Sequence, residues 1–383
     1  MVAAFMFRYD PAFLATNLNL SPFKLKWTDY PQLPNTQIFD GLFGVFNDSL
    51  PDGWGRLLLD RSLTQRGVDL NQIGPLDQLA HAGAGGLGAL TYYPIQPAIA
   101  PQPADISLDH LAGAAAQVLQ GESAVADIAE LLILNGSSGG ARPKILVGYQ
   151  PSTGSLIPDA PVLPAGYEHW LIKFSALGDN AEAAEIELAY YRMARAAGLE
   201  MSECRLFSGA GGNNYFGTRR FDLGPSGRLH LHSAAGLLQD NFRLSNLDYG
   251  HLMDAAFRLQ QRVAGYESMF RLAAFNVFAH NRDDHSKNVS FLMDESGWRP
   301  APAYDLTFSR SSHGYHSTTV AGEGRAPGTA HLLKLAQIFV LKNADQLIDE
   351  VRTAVARWPD LAAESGVSKA TINVIGKVFR SIN

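Results

Sequence analysis

Apolar and polar positions change their period along the chain, and the changes divide it. Before residue 93 the apolar runs are short and broken by turn chemistry. FMFRYDPAFL reads as a strand that ends in a turn at Asp10-Pro11. Asn47-Asp48-Ser49 and Pro51-Asp52-Gly53 are turn residues, and Trp54 to Leu63 has helical spacing. Tyr92–Asp105 is rich in proline and poor in charge, which predicts an extended, semi-rigid linker. Ser107 is placed to cap a helix that starts near Leu108. Strands and helices then alternate. Ile145–Tyr149 and Trp170–Phe174 are short β-type runs, and Glu182–Ala197 is a helical pattern closed by Gly198. Cys204–Phe207 and Asn214–Phe221 are two further strands. From Leu247 the pattern turns helical, with Leu252–Val263 and Ser268–His280 apolar at helical spacing. A hairpin follows, Val289–Met293 returning through Trp298–Pro300, and the chain is helical again from His331. Strand-rich first and helix-rich after, the order suggests two lobes with a cleft between them. The expected boundaries are 1–93, a linker at 94–105, 106–225 and 226–383.

Composition narrows the function. Of 383 residues, 46% are hydrophobic and 18% charged, so a sizeable core is expected. A net charge of −6 argues against a nucleic-acid surface over the whole molecule. The single cysteine, Cys204, cannot form an internal disulfide, and no apolar run approaches the ~20 residues of a membrane span. The expectation is a cytoplasmic protein with no membrane contact.

The densest chemistry lies in FAHNRDDHSKNVSFL, residues 278–292. Asp283 stands five residues before Asn288, a hairpin follows, and Asp305 lies just past the returning strand in AYDLTF. Kinases place a base carboxylate five residues before a metal-binding Asn and use a later Asp for Mg²⁺. The residue types suit that work. A carboxylate orients an acceptor hydroxyl and takes its proton, while amide and carboxylate oxygens are hard ligands for Mg²⁺. His285 sits where a cation can meet charge developing on a phosphoryl group. Asp284 stands four residues before Asn288, so spacing prefers Asp283 as base. Two plainer readings compete: turn closure by side-chain hydrogen bonds, and a zinc site through His280 and His285.

A kinase must also hold ATP. NGSSGGARPKILVGY, residues 135–149, is a Gly/Ser-rich loop before a strand, and backbone N–H groups in such a loop can cradle phosphates. HWLIKFS puts Lys173 in an apolar strand, where a lysine is costly unless paired. Glu185 and Glu187, on the following helix, are its candidate partners, as in kinases that position the α- and β-phosphates this way.

Taken together, YDPAFLATNLNLSPFKL, FNDSLPDGWGR, SSGGARPK, HWLIKF, RRFD, NRDDHSKN, AYDL and VAGEGR make the chain resemble the HipA family of toxin kinases from type II toxin–antitoxin systems. The resemblance implies an α+β, bilobal protein-kinase-like fold with a small β-rich N-terminal subdomain and a helical C-terminal lobe. It implies Asp283 as catalytic base and Asn288 and Asp305 as Mg²⁺ ligands. Lys173 would be the ATP-positioning lysine, with Glu187 fitting as its partner better than Glu185. Gly139, Gly140, Ala141, Arg142 and Lys144 would form the phosphate loop, with His285 at the ATP site. Phe221, with Arg219 beside it, would be the hinge facing adenine. Ser137, or its neighbour Ser138, would be the autophosphorylated serine. The family's substrates are protein Ser/Thr residues, aminoacyl-tRNA synthetases among them. Its usual partner is a helix-turn-helix antitoxin, through which nucleic acid is met only indirectly. The chain departs from the family at Asp284, where Gly is common, at Arg219, where some members are acidic, and in the ARPK end of its loop. A catalytically weak nucleotide-binding partner and a small-molecule kinase remain as alternatives.

Overall fold

The structure is a computed structural model that describes residues 5–35, 38–95, 106–122, 124–136, 139–224, 227–311 and 313–382. Most of the expected linker at 94–105, and both Ser137 and Ser138, lie outside the described residues. The chain divides into two compact units. One comprises Met1–Asp48, Ala189–Met201 and Gly224–Asn383; the other comprises Ser49–Leu188 and Ser202–Leu223. The cuts differ from the boundaries drawn on sequence: residues 49–93 group with the five-stranded sheet, and one cut falls inside the helix Ala183–Ala196.

The second unit is built on five antiparallel strands in the order Leu156–Pro158, Lys144–Tyr149, Glu168–Lys173, Asn214–Arg219, Cys204–Ser208. Lys144–Tyr149 is buried along its whole length, hence its unbroken apolar text. Trp54, Leu58, Leu111, Val118 and Leu131, from three helices, pack on Ile145, Val147, Trp170 and Ile172 of the sheet. One of those helices, Leu108–Gln120, starts as expected, with Ser107 Oγ accepting from His110 N–H.

The first unit joins a three-stranded antiparallel sheet, Gly297–Pro300, Ser290–Asp294 and His230–Ser233, to a set of helices. Ala264–Phe278 is apolar on most faces and buried accordingly. Tyr190 lies edge-on to Phe275, Trp358 and Phe379, and its hydroxyl donates to the Ala279 carbonyl.

The α+β expectation holds, but the N-terminal region is not β-rich. Described residues 5–93 hold no strand, only isolated bridges such as Phe7 with Gln32. The reason is local. Asp10 accepts from Ala12 N–H and Pro11 occupies the first helical position, so the expected turn at Asp10-Pro11 opens the short helix Pro11–Leu14. An aromatic cluster of Phe7, Tyr9, Phe13 and Trp27 does the packing instead.

Two histidines of strand His230–Ser233 hold residues 20 and 21. His230 Nε2 bonds the Leu20 carbonyl at 2.8 Å, and His232 Nε2 lies 3.0 Å from Ser21 Oγ. Burial, helped by His232, pushes His230 down to a pKa of about 4. The unfolded chain therefore takes up a proton at lower acidity than the folded one, and stability falls as pH drops from about 6.5 towards 4. At about 1.4 kcal/mol per pH unit the loss approaches ~3 kcal/mol. Urea titrations at pH 7 and pH 4.5 check this. His230→Gln, which keeps a donor, should flatten the dependence, and an unchanged slope would rule His230 out as its source.

Candidate active site

The phosphate-side residues lie in the second unit. Lys173 Nζ pairs with Glu187 Oε1, and their side chains are only 11% and 6% exposed. Glu185 is engaged elsewhere, accepting from Asn214 Nδ2 at 2.9 Å. The pairing explains how a lysine sits in an apolar strand. Lys144 stands directly opposite Lys173 across the antiparallel pair, so both side chains point to one face. Lys144 Nζ donates to the Gly139 carbonyl. Two cations side by side on one sheet face, one of them paired with Glu187, suit that face to an anion.

The loop is braced from a distance in sequence. Trp54 N–H donates to the Gly140 carbonyl at 3.0 Å. Gly53 has φ +46°, and a Cβ there would stand 2.6 Å from the Gly140 oxygen. The turn PDGW is thus the floor under Gly140-Ala141, and only glycine allows the approach. Arg142 pairs with Asp179 at 3.1 Å. Arg219 ends its strand with Nη1 3.4 Å from Glu168 Oε1 and is half exposed, while Phe221 is partly buried. Between them Arg220 reaches Asp222 at 2.8 Å and Asp159 at 2.7 Å, and Asp222 also accepts from Gly88 N–H at 2.7 Å. RRFD therefore contains a buried ion-pair network that sequence reasoning missed, because Asp159 and Gly88 are far away in the chain.

The loop acids lie in the first unit and differ sharply. Asp283 is exposed, its side chain 56% accessible, with His285 Nε2 3.7 Å from Oδ1. Asp284 is buried. Its carboxylate accepts from Tyr249 Oη at 3.0 Å, His316 Nδ1 at 2.9 Å, Ser317 N–H at 2.8 Å and Thr318 N–H at 3.3 Å. It is an internal anchor. Tyr249 in turn accepts from Asn276 Nδ2 at 2.7 Å, and burial raises its pKa well above the ordinary value. Ser286 Oγ donates to buried Asp240 at 2.5 Å. Residues 284 and 286 are thus tied down inside the fold, while the 283 side chain is exposed.

Asn288 Nδ2 donates to the Asp283 carbonyl at 2.8 Å, which turns Oδ1 outward. Tyr304, next to Asp305, donates to the Lys287 carbonyl and contacts Ser290 Oγ, each at 2.6 Å. The Tyr304 side chain thus ties the segment after the hairpin to residues 287 and 290. Asp305 has φ +56°, the left-handed region, a strain of about 1 kcal/mol that residues at working sites carry. An outward amide oxygen and a carboxylate suit Mg²⁺, which takes few protein ligands and completes its shell with water and phosphate. His280 and His285 do not form a zinc site: His280 Nδ1 contacts the Ser309 carbonyl and His285 lies against Phe242. Among the described residues no group of three or more His, Cys, Asp or Glu could hold a metal. No described helix is long and apolar enough to cross a membrane.

Over 98% of its length the chain superposes on 90% of HipA from Shewanella oneidensis MR-1, solved with HipB and its operator DNA. The TM-score is 0.67 at 17% identity. The two share one α+β, protein-kinase-like fold. Residues 136–358 match a family model described as the HipA-like C-terminal domain, and residues 2–93 match the HipA N-terminal domain. The chain belongs to the HipA family. A 60-residue stretch is 38% identical to the serine/threonine-protein kinase toxin HipA of Shewanella oneidensis, covering 16% of this chain and 14% of that protein.

Proposed function

We propose that the chain is a Mg-ATP-dependent protein serine/threonine kinase that acts as a HipA-like toxin, transferring the γ-phosphoryl group to a protein hydroxyl. The observation that carries this reading is the contrast within the loop: Asp284 is buried and bonded on all sides, and Asp283 is exposed. Only one of the two acids can meet a substrate, and it is the one five residues before Asn288. The carboxylate at 284 that favoured a non-catalytic binding module is buried and hydrogen-bonded inside the fold.

The roles follow from the chemistry. Asp283 orients the acceptor hydroxyl and takes its proton. Lys173, fixed by Glu187, and Lys144, on the same sheet face, meet phosphate oxygens, with the Gly139–Lys144 loop supplying N–H groups. Asn288 and Asp305 would hold Mg²⁺, which neutralises charge on the transferred group. His285 stands beside Asp283 to meet charge on the phosphoryl oxygens. The HipB partner in the neighbouring structure supports a helix-turn-helix antitoxin partner for this chain.

Intact mass after incubation with Mg-ATP tests the reading. Wild type is expected to gain phosphate that maps to Ser137 or Ser138, and a variant with both serines changed to Ala is expected to gain none there. A chain that phosphorylates neither itself nor any protein of a bacterial lysate would overturn it.

A further inference from the structure

A cavity of about 710 Å³ in the first unit is lined by Arg282, His280, His316 and the start of the helix Thr329–Ile338. Neither Asp283, Asn288 nor Asp305 contributes to it. Its size is that of a small-molecule site.

Its full positive charge is Arg282, and the carboxylate that acts on it, Asp284, is buried and bonded to His316. Arg282 donates to the carbonyls of Gly314 at 2.5 Å and Arg325 at 3.1 Å, and among the described residues it makes no ion pair. Its Nε is buried without a hydrogen-bond partner there. A guanidinium held only by carbonyls attracts an anion. The helix adds to this. Gly328 caps it without a side chain, so the N–H groups of Thr329 and Ala330 are among those the helix leaves unbonded at its positive end. His331 Nδ1 accepts from Gly328 N–H at 3.3 Å, which leaves the ring proton on Nε2.

A second feature is independent of charge. His280 and His316 are 8% and 7% exposed. His280 Nδ1 faces the Ser309 carbonyl at 3.1 Å, and His316 Nδ1 faces Asp284 Oδ2 at 2.9 Å. Both Nδ1 atoms must therefore carry protons. Neither Nε2 atom has a partner among the described residues. Burial holds His280 near a pKa of 4, so it is neutral at pH 7 and its Nε2 accepts. A hydroxyl group, donor and acceptor at once, suits both rings. A metal ion is disfavoured by Arg282 and by the lack of a third ligand among the described residues.

We propose that this cavity binds a small hydroxylated phosphomonoester, its phosphate on Arg282 and the first turn of Thr329–Ile338 and its hydroxyls on His280 and His316. Val277, Pro327, Leu333 and Ile382 supply the apolar wall. Arg282 adjoins Asp283 and His316 holds Asp284, so occupancy bears on the order of the loop. The inference stands whether or not the chain moves phosphate.

The test is a titration of the full chain, labelled with ¹⁵N-histidine, against ribose 5-phosphate, with phosphate-free ribose as control. Single His→Gln variants assign the signals. Saturable shifts of the His280 and His316 Nε2 resonances are expected. In Ala330→Asp affinity should fall about tenfold or more, roughly 1.4 kcal/mol. Ala330 is exposed, and an acid in the first turn favours the helix, so the variant should fold. Absence of a saturable shift up to ~10 mM, a range where even weak sites of ~3 kcal/mol fill, would overturn the proposal. So would equal binding by Ala330→Asp, or equal binding of ribose.

Discussion

Asp283→Asn should lower phosphoryl transfer by about 10²–10⁴-fold, the range a general base supplies, and leave the fold intact. The side chain is more than half exposed, with His285 Nε2 3.7 Å from it. Asn is nearly isosteric, and the contact that orders Asn288 uses the backbone carbonyl of residue 283, which the substitution keeps. The thermal midpoint and the affinity for an ATP analogue should therefore match wild type, and the loss should fall on turnover. Single-turnover transfer with Mg-ATP, beside the analogue's Kd, separates the two. A variant that keeps a tenth or more of wild-type transfer would remove Asp283 from the role of base. A variant that loses nucleotide affinity as well would mean that 283 helps to hold ATP.

That comparison is clean because the two adjacent acids have different structural fates, and the chain order alone did not show it. Spacing carried Asp283 and Asn288, because a five-residue separation inside one loop is a local relation that sequence preserves. That Lys173 pairs with a glutamate of the next helix was legible for a similar reason, since a strand followed at once by a helix leaves few partners for a buried lysine, while the choice of Glu187 over Glu185 came from the resemblance. The burial of Asp284 was not legible. Its donors come from residues 249 and 316 to 318, and nothing near it in sequence announces them. Lys144 beside Lys173 depends on strand register, which periodicity does not set. FNDSL read as a turn, yet Asp48 also accepts from Ser233 N–H at 2.8 Å and contacts His232 Nδ1 at 2.7 Å, anchoring a strand that begins far downstream. The turn at Asp10-Pro11 was legible, since an Asp cap followed by Pro starts a helical turn, but the strand before it forms only a single bridge. Pattern served where the deciding contacts are near in the chain. It failed where they are distant.

Asp284→Ala should destabilise the protein by about 3–5 kcal/mol, as removing one partner of a buried charged network does. Its side chain is fully buried. Removal strips an acceptor from Tyr249 Oη, His316 Nδ1 and two backbone N–H groups at 317 and 318 at once. Each orphaned buried donor costs about 1–3 kcal/mol, partly recovered if water enters. Asp284→Asn should cost less, since the amide keeps one acceptor oxygen and the shape. The damage should also reach function. Thr318 Oγ1 donates to the Asp284 carbonyl at 2.6 Å, and Asn281 Nδ2 bonds Asn276 Oδ1, itself tied through Tyr249 to Asp284. Loosening that chain frees both flanks of Asp283, so transfer should fall in Asp284→Ala although the base is present. Urea unfolding measures the first effect and a double-mutant cycle with His316→Ala apportions it. A loss below about 1 kcal/mol would mean that the network is not what holds the loop. A stable variant with normal transfer would leave the position of Asp283 to some other contact.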